Sequence, residues 1–71
     1  MPESERPMKN LKLVEARKKS GFTQVEVAKM AKISEISYQR IEYGTQRPSI
    51  DTAFLIADAL NSTVDELFRQ S

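Results

Sequence analysis

Residues 23–44 read TQVEVAKMAKISEISYQRIEYG, and the fold turns on where that stretch breaks. Thr23-Gln24-Val25-Glu26 is a T-x-x-E sequence, in which a threonine hydroxyl and a glutamate carboxylate can each accept a backbone N–H at a helix start. The helix it opens turns Val27, Ala28 and Ala31 inward, and the small Ala28 lets a neighbouring helix cross close by. Only Ala31, Lys32 and Ile33 then precede Ser34, a second N-cap residue. The helix predicted over about 34–43 stops at Gly44, which accepts the left-handed backbone of a helix terminator. Tyr38, Ile41 and Glu42 share one of its faces; Ile36, Gln39, Arg40 and Tyr43 share the other, with Glu35 and Ser37 beside them. A connection this short forces two helices into a sharp corner. One face of the second helix is therefore core, and the other is a polar stripe long enough to touch a partner.

Upstream, a helix is predicted over about 10–20, capped by Asn10 and ended by Gly21, with Phe22 plugging the core behind it. Leu13, Ala16 and Arg17 fall on its inner face, Lys12, Lys18 and Lys19 face solvent, and Val14 is read as outward, like Val25. Residues 1–9 carry two prolines and alternating charges, the composition of a flexible arm. Its Arg6 and Lys9 serve either solubility or contact with phosphate. Downstream, Thr45-Gln46-Arg47-Pro48 is a polar loop before a fourth helix capped by Ser49, the most apolar of the set, which ends at Asn61. Thr63-Val64-Asp65-Glu66 is a second T-x-x-E box, opening a last turn with Val64, Leu67 and Phe68 inward. No segment alternates as a strand does. The expectation is all-α: five short helices in one compact bundle, with a flexible arm at 1–9 and the folded domain at 10–69.

The 71 residues suffice for a single small domain with a thin core, for which self-association is a second source of stability. With no cysteine and no histidine, thiolate or imidazole metal ligation and the usual nucleophile–base pairs are excluded. There is no glycine-rich phosphate loop either, so neither an enzyme nor a cofactor is expected. The N-terminal segment lacks the apolar run of a signal peptide and no segment approaches a membrane span, which predicts a cytoplasmic protein. Net charge is only +1, but it is unevenly spread. Arg6, Lys9, Lys12, Arg17, Lys18, Lys19, Lys29, Lys32, Arg40 and Arg47 precede Pro48, against Glu15, Glu26, Glu35 and Glu42, whereas Asp51, Asp58, Asp65 and Glu66 follow it with Arg69 alone to offset them. One pole is suited to a polyanion.

The spacing of TQxxxA, IS, RIExG, RPS and DELF over roughly 10–68 resembles the Cro/lambda-repressor type of helix-turn-helix, the XRE family. The resemblance implies a five-helix lambda-repressor-like bundle whose helix-turn-helix occupies 23–44 and whose third helix enters the DNA major groove. It implies base contacts from Ser34, Glu35, Ile36, Gln39 and Arg40, and phosphate contacts from Gln24, Lys32, Tyr43 and Arg47. Arginine suits guanine, glutamine adenine, glutamate a cytosine amino group, and an aliphatic side chain the thymine methyl. Glu35 serves either this purpose or the dipole of the helix it begins. Arg17 and Glu42 match a structural salt bridge bracing the first helix against the third. Lys32 stands where glycine is common, and Ser62 where an apolar residue is usual.

The function so implied is a sequence-specific regulator of transcription, a repressor or autoregulator that binds an inverted repeat in double-stranded DNA as a homodimer. Leu55 and Phe68 are candidates for the dimer contact, and no small-molecule ligand and no membrane partner are expected. The alternative keeps the fold and replaces DNA with another protein, as an antitoxin, anti-repressor or coactivator would.

Overall fold

The computed structural model describes residues 9–69; apart from Lys9, the arm assigned to 1–9 lies outside them. Five helices follow one another, α1 (Leu11–Ser20), α2 (Gln24–Met30), α3 (Glu35–Tyr43), α4 (Ile50–Ala59) and α5 (Val64–Phe68). No strand occurs among the described residues. Each helix starts on a side chain that accepts a backbone N–H three residues on, from Asn10, Thr23, Ser34, Ser49 and Thr63. Helix α2 packs on α3 and α4, α1 on α3 and α5, and α4 on α5. Between them Leu13, Val27, Ala28, Ala31, Tyr38, Ile41, Ile56, Ala57, Leu60 and Leu67 form the core, with Phe22 packed partly buried against it.

The first four helices end in the same closure. One residue past α1 and α3, and two past α2 and α4, the backbone takes a positive φ, and the N–H of that residue and of its successor turn back onto the last carbonyls, in the Schellman pattern. Thus Gly21 and Phe22 donate to Lys18 and Arg17, Lys32 and Ile33 to Lys29 and Ala28, Gly44 and Thr45 to Ile41 and Arg40, and Asn61 and Ser62 to Asp58 and Ala57. Glycine and asparagine adopt this backbone readily; Lys32, at φ 62°, does not. Its Cβ crowding costs about 1–2 kcal/mol, so Lys32→Gly is expected to raise the melting temperature. The gain is reduced by the greater freedom glycine gives the unfolded chain, about 0.4–1 kcal/mol. A melt that fell instead would show that the lysine stem contributes packing.

Three expectations change. Val14 is buried, not outward, on the flank of α1 from which Arg17 reaches Glu42 of α3; Val25 is exposed. The T-x-x-E box at Thr23 is reciprocal, but the one at Thr63 is half formed: Thr63 accepts from the Glu66 N–H, while the Glu66 carboxylate accepts from the Ser62 hydroxyl. Ser62 thus supplies the polar partner that an apolar residue there could not. Leu55 and Phe68 are partly buried against the core, whereas Leu11, Ile50 and Phe54 stand out at 63, 69 and 57% exposure. No helix among the described residues is long and apolar enough to cross a membrane.

Asn10 closes the bundle. Its Oδ1 caps α1 by accepting from Leu13 N–H, its Nδ2 donates to the Leu67 carbonyl at 2.8 Å, and its own N–H donates to the Glu42 carbonyl at 2.8 Å. The start of α1 and the ends of α3 and α5 are therefore held by one residue.

Candidate nucleic-acid interface

Helix α3 is positioned by its inner face. Tyr38, Ile41 and Glu42 are buried, with Tyr38 and Ile41 in the core. A buried carboxylate needs partners, and Glu42 has three polar contacts from two other helices. Arg17 Nε reaches Oε2 at 2.6 Å and Nη2 reaches Oε1 at 3.4 Å, while Gln24 Nε2 donates to Oε1 at 2.9 Å. Arg17 Nη1 also donates to the Phe22 carbonyl, so the guanidinium spans the α1–α2 junction. Burial alone would raise the Glu42 pKa; Arg17 first, then the neighbouring Tyr38 hydroxyl and Gln24, outweigh it and hold the carboxyl below its ordinary value. The bond to Glu42 raises Arg17 in turn.

Tyr38 lies against this pair. Its hydroxyl is buried without a hydrogen bond of acceptable geometry, and burial pushes its ionisation upward. An unpartnered buried hydroxyl is unfavourable. Tyr38→Phe is accordingly expected to leave the protein at least as stable, by up to about 1 kcal/mol, in a thermal melt followed by circular dichroism. A clear loss would mean that the phenol helps to solvate the Arg17–Glu42 pair.

The outer face of α3 is what the inner face leaves exposed. Ser34 caps the helix through Oγ, which accepts from Ser37 N–H and keeps its O–H free to donate outward. Glu35, Ile36 and Arg40 are exposed and Gln39 half-buried, and these four form one continuous stripe. Ile36 is 60% exposed and is the apolar member of the stripe. Glu35 Oε2 accepts from Gln39 Nε2 at 3.2 Å, one turn apart on the stripe. Tyr43 is exposed at the far end, with Lys9 Nζ 5.6 Å from its ring centroid.

Lys32 before α3 and Arg47 after it are both exposed, so the stripe has cations at either end. The Arg40 carbonyl accepts from the N–H groups of Thr45 and Gln46 and from the Thr45 hydroxyl, which folds the loop carrying Arg47 back on the helix end. Gln24 is less free than sequence reading implied, since its amide nitrogen already serves Glu42. The second hydrogen of that nitrogen remains for an outside acceptor. Among the described residues no cluster of acidic side chains could hold a metal ion.

Sequence reasoning placed the stripe but missed its internal links. The Glu35–Gln39 pair was legible from its i, i+4 spacing. Neither the Gln24–Glu42 contact nor the Lys9–Tyr43 contact has a local signature.

Residues 13–67 match the model of a family described as helix-turn-helix. Among curated proteins, the chain is 46% identical over 44 residues to an uncharacterised HTH-type transcriptional regulator, YqaF, of Bacillus subtilis strain 168. That match takes in 62% of the chain but only 58% of the relative's length. Among solved structures, the restriction-modification controller protein C.AhdI from Aeromonas hydrophila aligns with a TM-score of 0.76 at 25% identity, over 83% of this chain and 89% of that one. The master regulator for biofilm formation SinR, solved in complex with DNA, aligns at 0.70 and 27% identity over 78% and 89% of the respective chains; SinR is a Bacillus subtilis protein.

Proposed function

The chain belongs to the XRE-type helix-turn-helix family of DNA-binding transcriptional regulators, and from that premise we propose that it is a repressor or autoregulator acting as a homodimer on an inverted-repeat operator. The observation that carries this reading is the exposed stripe Glu35, Ile36, Gln39 and Arg40 on a helix locked from behind by Glu42. A helix fits the major groove, and side chains at its N-terminal half reach base edges while neighbouring elements grip phosphate. Ser34, Glu35, Ile36, Gln39 and Arg40 are the base-contacting set. Lys32, Tyr43 and Arg47 contact phosphate, and Gln24 does so with the hydrogen that Glu42 leaves free. Residues 10–69 constitute the DNA-binding domain, and 1–9 an arm.

Leu55 and Phe68 remain dimer candidates for the part of each that is exposed, and Phe54, next to Leu55 and 57% exposed, adds apolar area to that side. Light scattering that returned a monomer at high concentration would remove the dimer. Footprinting on DNA flanking the gene is the direct test of the whole reading. The expected result is protection of two half-sites about 34 Å apart. Absence of protection there, together with no retention of random duplex DNA at low salt, would sink it.

A protein-binding role on the same fold draws support from Leu11 and Ile50, exposed apolar residues that share a groove with Lys9 and Arg47 and are not part of the stripe itself. Salt separates the two readings. Phosphate contacts make affinity fall steeply with ionic strength, and an apolar protein contact does not.

A further inference from the structure

Resting on the DNA-binding reading, we infer that Glu35 and Gln39 act as one reading unit, selecting cytosine in the major groove and rejecting adenine. The Gln39 side chain in isolation would favour adenine, accepting from N6 with its oxygen and donating to N7 with its nitrogen. Here its nitrogen is turned toward the Glu35 carboxylate, with Nε2 to Oε2 at 3.2 Å. What the pair presents outward is then weighted toward acceptors, the charged second Glu35 oxygen and the Gln39 carbonyl, against the one remaining Gln39 N–H.

In the major groove, guanine offers N7 and O6, both acceptors, and thymine offers the acceptor O4. A carboxylate pressed against any of these loses its water and gains repulsion. Adenine offers the N6 donor, but beside the N7 acceptor. Cytosine offers the N4 amino group without an acceptor on its own edge, so it alone gives the carboxylate a donor without an opposing lone pair. The hydrogen bond between Glu35 and Gln39 is weak while both are in water. It strengthens when the groove excludes solvent, because the carboxylate then has few other donors.

Two further features set the pair in place. Glu35 is the first residue of α3, where the Ser34 cap fixes the backbone and the helix dipole favours the charged carboxylate. Gln39 is half-buried one turn later, so its side chain is restricted in where it can reach. Arg40 is left to read guanine independently.

The test is selection from a random duplex DNA pool by the full chain and by two variants, Glu35→Gln and Gln39→Ala. For the wild type, one position in each half-site is expected to show cytosine favoured by about tenfold or more. Glu35→Gln removes the charge without changing the shape, and the same position is expected to move from cytosine to adenine. Gln39→Ala is expected to keep cytosine with a reduced preference. The inference is overturned if Glu35→Gln selects the wild-type sequence, or if the wild type itself selects adenine where Gln39→Ala loses it. Enrichment of no sequence at all by the wild type would overturn the DNA-binding reading, and this inference with it. Circular dichroism of both variants distinguishes lost folding from lost reading.

Discussion

Arg17→Ala is expected to destabilise the protein by about 3–5 kcal/mol, the typical effect of removing one partner from a buried ion pair. The Glu42 side chain is 2% exposed and that of Arg17 13%, so water cannot replace the lost guanidinium. Gln24 would remain as a partner, but it is neutral and supplies a single bond. A domain of this size has only about 0.05–0.15 kcal/mol of stability per residue, so the loss takes a large part of the total. At about 4–8 °C per kcal/mol, the melting temperature should drop by roughly 12 °C or more. Replacing both partners, with Arg17→Met and Glu42→Leu, should recover much of the loss, because no charge is then stranded. A melt of Arg17→Ala within about 3 °C of the wild type would show that the pair is better hydrated than its burial indicates.

The same pair sets a pH dependence. Glu42 has a lower pKa folded than unfolded, so the unfolded chain binds its proton first as acid is added. Its contribution is complete above the unfolded value, about 4.3, and is lost as pH falls through the folded value. The melting temperature of the wild type should therefore decline on the acid side of about pH 4. In Glu42→Gln, melting from a lower starting point, that decline should be shallower. Equal slopes would place the acid-sensitive groups elsewhere.

The second large effect concerns binding. Arg40→Ala should weaken operator binding by about 1–3 kcal/mol, or roughly 5- to 150-fold, and flatten base preference at one position. The fold should survive, because the side chain is exposed and the carbonyl that secures the following loop is retained. Arg47→Ala offers the contrast: a phosphate contact should be lost about equally on all sequences, with the salt slope reduced by about 0.9. If Arg40→Ala bound every duplex as the wild type does, α3 would not be the reading element.

Most of the fold was legible because it is locally specified. Asn10, Thr23, Ser34, Ser49 and Thr63 are N-caps by residue type, and Gly21, Gly44 and Asn61 are terminators by residue type. Glu42 could be placed inward because Tyr38 and Ile41 define its face. What escaped reading depends on partners far along the chain. Val14 looks solvent-facing until the bundle closes around α1, and the Nδ2 of Asn10 finds Leu67 at a separation of 57 residues. Gln24 looks free because nothing near it in sequence reveals Glu42. At the candidate interface the outer stripe follows from helical spacing alone, but how Glu35 and Gln39 divide their hydrogen bonds is a matter of rotamers, which periodicity does not determine.

Asn10 has a bearing on how the protein is made. During synthesis α1 is made long before Leu67, and until α5 is in place the Asn10 amide has no carbonyl of that helix to hold. The root of the arm and the end of α3 are thus fully tied down only after α5 has left the ribosome. A product cut short before α5 can own every residue of the α3 stripe and still lack this closure.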